Sequence, residues 1–104
     1  MSIRFWAALA AAGLGLSAQA QDKDSLYIKS LAATCANCHG TNGHTVAGSP
    51  VPALAGTPQD TLVAQLQAFK TGARPATVMH QLAKGYSDAQ IAQIAAYFAA
   101  QKKP

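Results

Sequence analysis

The chain has 104 residues, of which 50% are hydrophobic and 12% charged, so it is long enough for one small domain. Its formal net charge of +4 comes with no long basic run, so nothing in the charge pattern points to a nucleic-acid partner. It contains only two cysteines, which excludes the several disulfides that stabilise many small secreted domains.

Residues 1–20 are typical of a cleaved secretory signal peptide. Arg4 supplies a positive start, residues 5–16 are apolar, and residues 18–20 read Ala-Gln-Ala, a small-x-small cleavage site. The apolar run is about a dozen residues, whereas a spanning helix needs roughly 20, so cleavage is favoured over a membrane anchor. We therefore expect one domain over residues 21–104, with no membrane span after cleavage.

The first predicted element is a helix from Ser25 to Cys38, with Asp24 as its N-cap and Gly40 as its stop. Its last turn carries Cys35 and Cys38, followed at once by His39. Two cysteines separated by two residues and followed by histidine are typical of c-type haem attachment. Each thiol forms a thioether with a vinyl group, and the histidine is the proximal ligand of the iron. The motif predicts one covalently bound haem c.

Two other chemistries use paired cysteines. A thiol oxidoreductase pair usually lies on a βαβ scaffold, and no segment here favours a strand. A structural zinc site normally needs a second pair of ligands, which this chain lacks. Haem attachment is therefore the favoured interpretation of Cys35 and Cys38.

Residues 40–58 form a predicted loop that is rich in glycine and proline. A loop of this length inside a small domain is usually functional or disordered, and passing along the proximal side of a haem would be such a function. An iron-ligating histidine usually donates its second ring N–H to an acceptor. The backbone carbonyl of Pro52 is a candidate acceptor for His39, although the residues alone leave open whether Pro52 only stiffens the loop.

The second helix is predicted to begin at Thr57–Pro58, where Thr57 can cap and proline suits the first helical position, and to end at Gly72. A second loop then covers residues 73–85, with a short helical turn near residues 82–84. This loop contains Pro75 and the only methionine that would remain after leader cleavage, Met79.

Met79 is the predicted sixth ligand of the iron. It lies forty residues past His39, on a segment able to reach the opposite face of the haem. A thioether is a soft, neutral ligand that favours ferrous iron. The alternatives are that Met79 fills a gap in the core, or that His80 is the ligand. His44 is a weaker candidate because it lies in the loop on the His39 side.

The last helix is predicted to open at Ser87, with Gln90 completing a capping box. Its buried stripe follows helical spacing at Ile91, Ile94, Ala95 and Phe98. The whole pattern predicts an all-α domain in which a few helices surround one haem.

Residues 21–104 resemble a class I cytochrome c in the register of four motifs, Cys35–His39, Pro52–Gly56, Met79 and Ser87–Asp88. Residues 74–79 and 83–88 resemble, more narrowly, the cytochrome subunit of flavocytochrome c sulfide dehydrogenase and its monohaem relatives. In such a complex a flavoprotein subunit oxidises sulfide and the cytochrome takes the electrons one at a time.

The resemblance implies a periplasmic electron carrier that performs no bond chemistry itself. It also implies thioethers from Cys35 and Cys38, axial His39 and Met79, and Pro52 as the acceptor for the His39 ring. Redox proteins are the expected partners, with a flavoprotein sulfide dehydrogenase subunit as one candidate. The alternatives are a free-standing carrier, or a small haem enzyme or gas-binding protein with a labile sixth ligand.

Overall fold

Helices make up all the regular secondary structure of residues 19–104, which are the residues that the computed structural model describes. In chain order they are α1 Gln19–Ala33, α2 Ala36–His39, a 3-10 turn Thr41–Gly43, α3 Gln59–Thr71, α4 Met79–Lys84 and α5 Asp88–Ala99. No residue of this range lies in a strand, in agreement with the predicted all-α class. The predicted leader lies outside the described residues except for its last two, which begin α1. Within the described range, no helix combines the length and apolarity needed to cross a membrane.

The first helix is interrupted, whereas the sequence predicted one continuous helix as far as Cys38. At the break, the amide N–H groups of Thr34 and Cys35 donate to carbonyls three residues back, those of Leu31 and Ala32, at 3.3 and 3.0 Å. The Thr34 hydroxyl also donates to the Leu31 carbonyl, at 2.7 Å. These tighter turns end α1 and re-aim the chain before the four residues of α2.

Three of the predicted helix boundaries are confirmed. Gly40 follows α2 with φ +79°, and Gly72 ends α3 in the left-handed conformation that favours glycine. Ser87 caps α5 through a complete capping box, because its hydroxyl accepts from the Gln90 amide at 3.1 Å and its own amide donates to the Gln90 side chain at 2.9 Å. These boundaries depend on local chemistry alone.

Two predicted N-caps are wrong. Asp24 lies inside α1, which already runs from Gln19. Pro58, not Thr57, occupies the N-cap of α3, and no side chain caps that end. Asp60 instead accepts a hydrogen bond from the neighbouring amide of Thr61 at 2.8 Å.

The core forms where α5 packs against α1 and α3. Its buried residues are Ala32, Leu62, Ile94, Ala95 and Phe98. All four positions of the predicted α5 stripe are at most 3% exposed, which confirms that prediction. The short helix α4 packs against α3, so the core fixes α4 through α3 and fixes the cysteine-bearing turn through α1.

Candidate haem site

Cys35 lies on the turn that joins α1 to α2, and Cys38 lies within α2. Cys38 is exposed and Cys35 is half-buried, and no disulfide joins them. Burial raises the pKa of the Cys35 thiol, and the interaction with the neighbouring Thr34 hydroxyl offsets this only in part. Reactive disulfide-exchange cysteines have the opposite property, a lowered pKa. The residues described by the structure also contain no group of three or more side chains suited to a zinc site.

His39 ends α2 and is 9% exposed. Its ring nitrogen Nδ1 lies 2.7 Å from the carbonyl oxygen of Pro52. Because a carbonyl oxygen can only accept, Nδ1 carries the proton and donates. In the neutral ring this leaves the lone pair on Nε2, which takes part in none of the hydrogen bonds of the described residues. The ring is therefore oriented and supplied with a free nitrogen donor, which is the state a metal ligand requires.

The loop after α2 is folded back on itself so that Pro52 reaches His39. The carbonyl of Gly43 accepts from the amides of Leu54 and Ala55, at 2.9 and 3.2 Å. Gly40 has φ +79°, and a Cβ there would collide with the backbone carbonyl of His44. Only glycine fits that position, so the close return of the chain depends on it.

The same loop is joined to the end of α5. The Nε2 atom of His44 lies 2.8 Å from the carbonyl oxygen of Lys102, and the amide of Gly56 donates to the Phe98 carbonyl at 2.9 Å. The Tyr97 hydroxyl donates to the side-chain oxygen of Asn42. His44 is thus engaged with the C-terminal segment of the chain.

Met79 is the first residue of α4 and is half-buried. Ala83 follows one turn later on the same face and is fully buried. Val78 and Leu82 share the neighbouring face and are 56% and 48% exposed. The Nδ1 atom of His80 is buried and lacks a hydrogen-bond partner within the described part of the chain.

Three residues near the site were missed by the sequence reasoning. The Tyr86 hydroxyl lies 2.6 Å from the Thr34 hydroxyl, beside Cys35, and Lys70 donates to the Tyr86 carbonyl at 2.6 Å. Thr34 and Tyr86 are 52 residues apart, so no local spacing could have paired them. The structure therefore links the cysteine turn to the residues that follow α4.

These residues fit a large, mostly apolar group with a metal at its centre. His39 offers an oriented nitrogen donor, and no disulfide joins Cys35 and Cys38. Met79 begins α4, where the N-cap residue Val78 and the helical residue Leu82 expose apolar side chains. The two apolar side chains are available for contact with a bound group, and a buried polar atom without a partner is uncommon in a folded protein. A bound group would cover the former and could pair with the latter.

Residues 25–102 match the protein family described as Cytochrome c. The chain belongs to the cytochrome c family. It is 41% identical over 68 residues to the cytochrome subunit of sulfide dehydrogenase from Chlorobaculum tepidum, which covers 65% of this chain and 60% of that protein. It is 40% identical over 73 residues to cytochrome c-554(548) from Halomonas halodenitrificans, which covers 66% of this chain and 86% of the relative.

The structure of cytochrome c4 from Acidithiobacillus ferrooxidans matches with a TM-score of 0.62 and 31% identity, covering 79% of this chain and 49% of that one. The fold is thus the class I cytochrome c fold, as predicted. The chain spans between 31% and 60% of the length of four of its curated relatives.

Membership of the family establishes the cofactor as a covalently bound haem c with its iron. It also establishes the general role of the cytochrome domain, which is electron transfer and not enzymatic bond chemistry.

Proposed function

We propose that this cytochrome c is an exported, periplasmic carrier of single electrons, with haem thioethers from Cys35 and Cys38 and axial ligands His39 and Met79. When bound, the haem iron supplies one-electron chemistry by alternating between its ferric and ferrous states. The polypeptide contributes the ligands, their orientation and the apolar surroundings. Binding of the iron by both His39 and Met79 would leave no position on the iron open for a substrate.

The observation that carries this proposal is the hydrogen bond from His39 to Pro52. It selects the tautomer in which Nε2 is the free donor, and it fixes the plane of the ring. Both cysteines lie within four residues of this ring on one short turn. Thioether attachment at Cys35 and Cys38 would therefore bring the macrocycle next to the histidine.

Met79 is supported as the sixth ligand by its place on α4. It shares a face with the fully buried Ala83, so its side chain starts on the inner side of the helix. His44, by contrast, is occupied by the Lys102 carbonyl. A neutral thioether raises the reduction potential relative to a second imidazole and suits a carrier that accepts electrons readily.

The test of the ligand set is the ferric absorption band at the red edge of the visible spectrum that accompanies iron–thioether bonding. We expect the band in the wild-type protein, its loss in Met79→Ala, and its retention in His80→Ala and His44→Ala. A band that survives Met79→Ala would show that another residue binds the iron. Fast binding of carbon monoxide to the reduced wild-type protein would favour a gas-binding protein or a haem enzyme instead.

The proposed donor is the flavoprotein subunit of a sulfide dehydrogenase, to which this chain would belong as the cytochrome subunit. The support is the similarity to the Chlorobaculum tepidum protein of that name, 41% identical over 68 residues. The alternative is a free-standing carrier, supported by the similarity to cytochrome c-554(548), of which the chain covers 86%. Purification of the native protein, with assays for bound flavin and sulfide-dependent haem reduction, separates the two.

Export is proposed from the sequence of residues 1–20. Covalent haem attachment in bacterial cytochromes of this type takes place outside the cytoplasm, as the family resemblance implies. We expect the protein in the periplasmic fraction, with Gln21 at its amino terminus by intact mass. A haem-free cytoplasmic product that retains residues 1–20 would contradict the proposal.

A further inference from the structure

Tyr86 is hydrogen-bonded at both ends to other parts of the chain. Its phenol oxygen lies 2.6 Å from the Thr34 hydroxyl, and its backbone carbonyl accepts from the Lys70 ammonium at 2.6 Å. Its ring is half-buried and packs against the core cluster. One residue therefore joins the end of α1, the last turn of α3 and the segment that follows α4.

The direction of the hydrogen bond between the two hydroxyls follows from their other contacts. The Thr34 hydroxyl lies 2.7 Å from the Leu31 carbonyl, which can only accept, so the single Thr34 proton points there. The Tyr86 hydroxyl must then donate to Thr34 Oγ1. The result is a chain of two hydrogen bonds, from Tyr86 to Thr34 and from Thr34 to Leu31.

Thr34 and Tyr86, the two hydroxyl-bearing residues joined by these hydrogen bonds, each lie next to residues of the haem site. Thr34 directly precedes Cys35, and its hydrogen bond to Leu31 lies at the break between α1 and α2. Tyr86 follows α4 by two residues, and its amide donates to the carbonyl of Ala83 at 3.2 Å. Ala83 is the buried residue one turn after Met79. The Tyr86–Thr34 hydrogen bond thus connects the segment of the thioether cysteines to the helix of the sulfur ligand.

We propose that Tyr86 and Thr34 are positioning residues for the sixth ligand. Their hydrogen bond fixes α4 relative to the cysteine turn and so holds the Met79 sulfur at bonding distance from the iron. This inference rests on the proposed ligation by Met79. Lys70 assists by fixing the Tyr86 carbonyl from α3.

The test uses the haem-loaded protein and compares Tyr86→Phe, Thr34→Val and Thr34→Ser. The first two remove the hydrogen bond with little change of shape, and the third keeps the hydroxyl. We expect Tyr86→Phe and Thr34→Val to weaken the red-edge ferric band. They should also speed carbon monoxide binding to the reduced protein about fivefold, the factor that corresponds to about 1 kcal/mol for one hydrogen bond. Thr34→Ser should resemble the wild type. Adding Tyr86→Phe to Thr34→Val should change the band and the carbon monoxide rate no further, because Thr34→Val has already removed the hydrogen bond between the two residues.

Tyr97→Phe is the matched control. Tyr97 also donates a long-range hydrogen bond, but to Asn42 on the His39 side of the site. At similar losses in free energy of unfolding, only the Tyr86 and Thr34 variants should change the band and the carbon monoxide rate. Equal changes in Tyr97→Phe, or a Thr34→Ser variant that behaves like Thr34→Val, would overturn the positioning role.

Failure of this inference can be told apart from failure of the ligand assignment. If the wild-type band is present and Met79→Ala removes it, a Tyr86→Phe variant no different from Tyr97→Phe refutes the positioning role alone. If the wild-type protein lacks the band, or keeps it in Met79→Ala, the ligand assignment is wrong and the positioning role falls with it.

Discussion

The carbonyl oxygen of Pro52 lies 2.7 Å from Nδ1 of His39, so the acceptor for the histidine is a backbone atom. The two roles that sequence reasoning could assign to Pro52, acceptor and loop stiffener, are therefore carried by different atoms. A substitution at this position can remove the pyrrolidine ring and leave the acceptor in place.

We predict that Pro52→Ala keeps the haem potential and the His39 bond but lowers the free energy of unfolding by about 0.5–1 kcal/mol. Alanine frees the unfolded chain while leaving the carbonyl available. Potentiometry and denaturant unfolding measure the two effects. Pro50→Ala, in the same loop, is the control for loss of a proline whose carbonyl is not the partner of His39 Nδ1. A shifted potential with unchanged stability would show that the ring itself orients the histidine.

Gly40 and Gly48 allow the cost of backbone strain to be separated from the cost of a steric clash. Both have φ +79°, but they differ in the space around them. A Cβ on Gly40 would collide with the backbone of His44, whereas nothing lies within 4 Å of a Cβ on Gly48. Each alanine variant should carry a backbone strain of roughly 1–3 kcal/mol from its positive φ. Only Gly40→Ala should lose about 1–3 kcal/mol more of the free energy of unfolding, because the clashing atoms belong to the backbone and cannot shift without distorting the loop.

The measurement for this pair is the yield of haem-loaded protein together with the denaturant midpoint. Gly48→Ala should load haem normally, and Gly40→Ala should load poorly because the displaced loop carries the acceptor for His39. Equal midpoints for the two variants would mean that the loop near His44 relaxes at little cost and that the close return of the chain is not required.

Sequence reasoning located the parts of this protein that depend on neighbouring residues. The capping box at Ser87 and Gln90 and the stop at Gly72 each need only a few consecutive residues, and the structure has both. The haem motif is of the same kind. Such features are set by local hydrogen bonding and backbone conformation, which a short stretch of sequence specifies.

The features that were missed depend on contacts between distant residues. The break at Thr34 coincides with a hydrogen bond to Tyr86, 52 residues later. Helical periodicity alone favours continuing the helix to Cys38, and the pairing that accompanies the break has no signature in spacing. The approach of Pro52 to His39, for which the sequence named the candidate acceptor but not the loop path, likewise depends on the pairing of Gly43 with Leu54 and Ala55 across the loop.

Both residues of the capping box should contribute to the free energy of unfolding, and Gln90 makes a further hydrogen bond outside the box. Ser87→Ala removes one cap and should lower the free energy of unfolding by about 1 kcal/mol. Gln90→Ala removes the reciprocal bond to the Ser87 amide and also the bond from its side chain to the Tyr27 hydroxyl, at 3.0 Å. Gln90→Ala should therefore lower the free energy of unfolding by more than Tyr27→Phe, which removes only the hydrogen bond between Gln90 and Tyr27. Denaturant unfolding of the three variants gives the comparison, and equal losses for Gln90→Ala and Tyr27→Phe would assign no stability to the reciprocal cap.

Asp88 makes the stability of the protein dependent on pH. Its carboxylate accepts from the Gln67 side chain at 2.8 Å and lies 3.5 Å from the Lys70 ammonium. The Gln67 hydrogen bond is the largest single cause, followed by the charge and the hydrogen bond of Lys70, and together they lower the pKa of Asp88 from its ordinary value of 3.8. Its place in the first turn of α5 also favours the charged form. The folded protein therefore binds the Asp88 proton less readily than the unfolded chain.

A lowered pKa stabilises the folded state at pH values above the ordinary value of 3.8, and this contribution disappears as the pH falls through the lower folded value. We predict that Asp88→Asn is less stable than the wild type at neutral pH, and that the difference shrinks below pH 3.8 because a protonated aspartate is as uncharged as asparagine. Denaturant unfolding from neutral to acid pH gives both curves. Asp60→Asn is the control, because Asp60 also lies in the first turn of a helix but bonds only to the adjacent Thr61 amide. The Asp88 side chain is exposed, so added salt should narrow the gap at neutral pH. If the difference in free energy of unfolding between the wild type and Asp88→Asn stays constant across the acid range, the loss is due to the shape or the hydrogen bonding of the new side chain and not to the charge of Asp88.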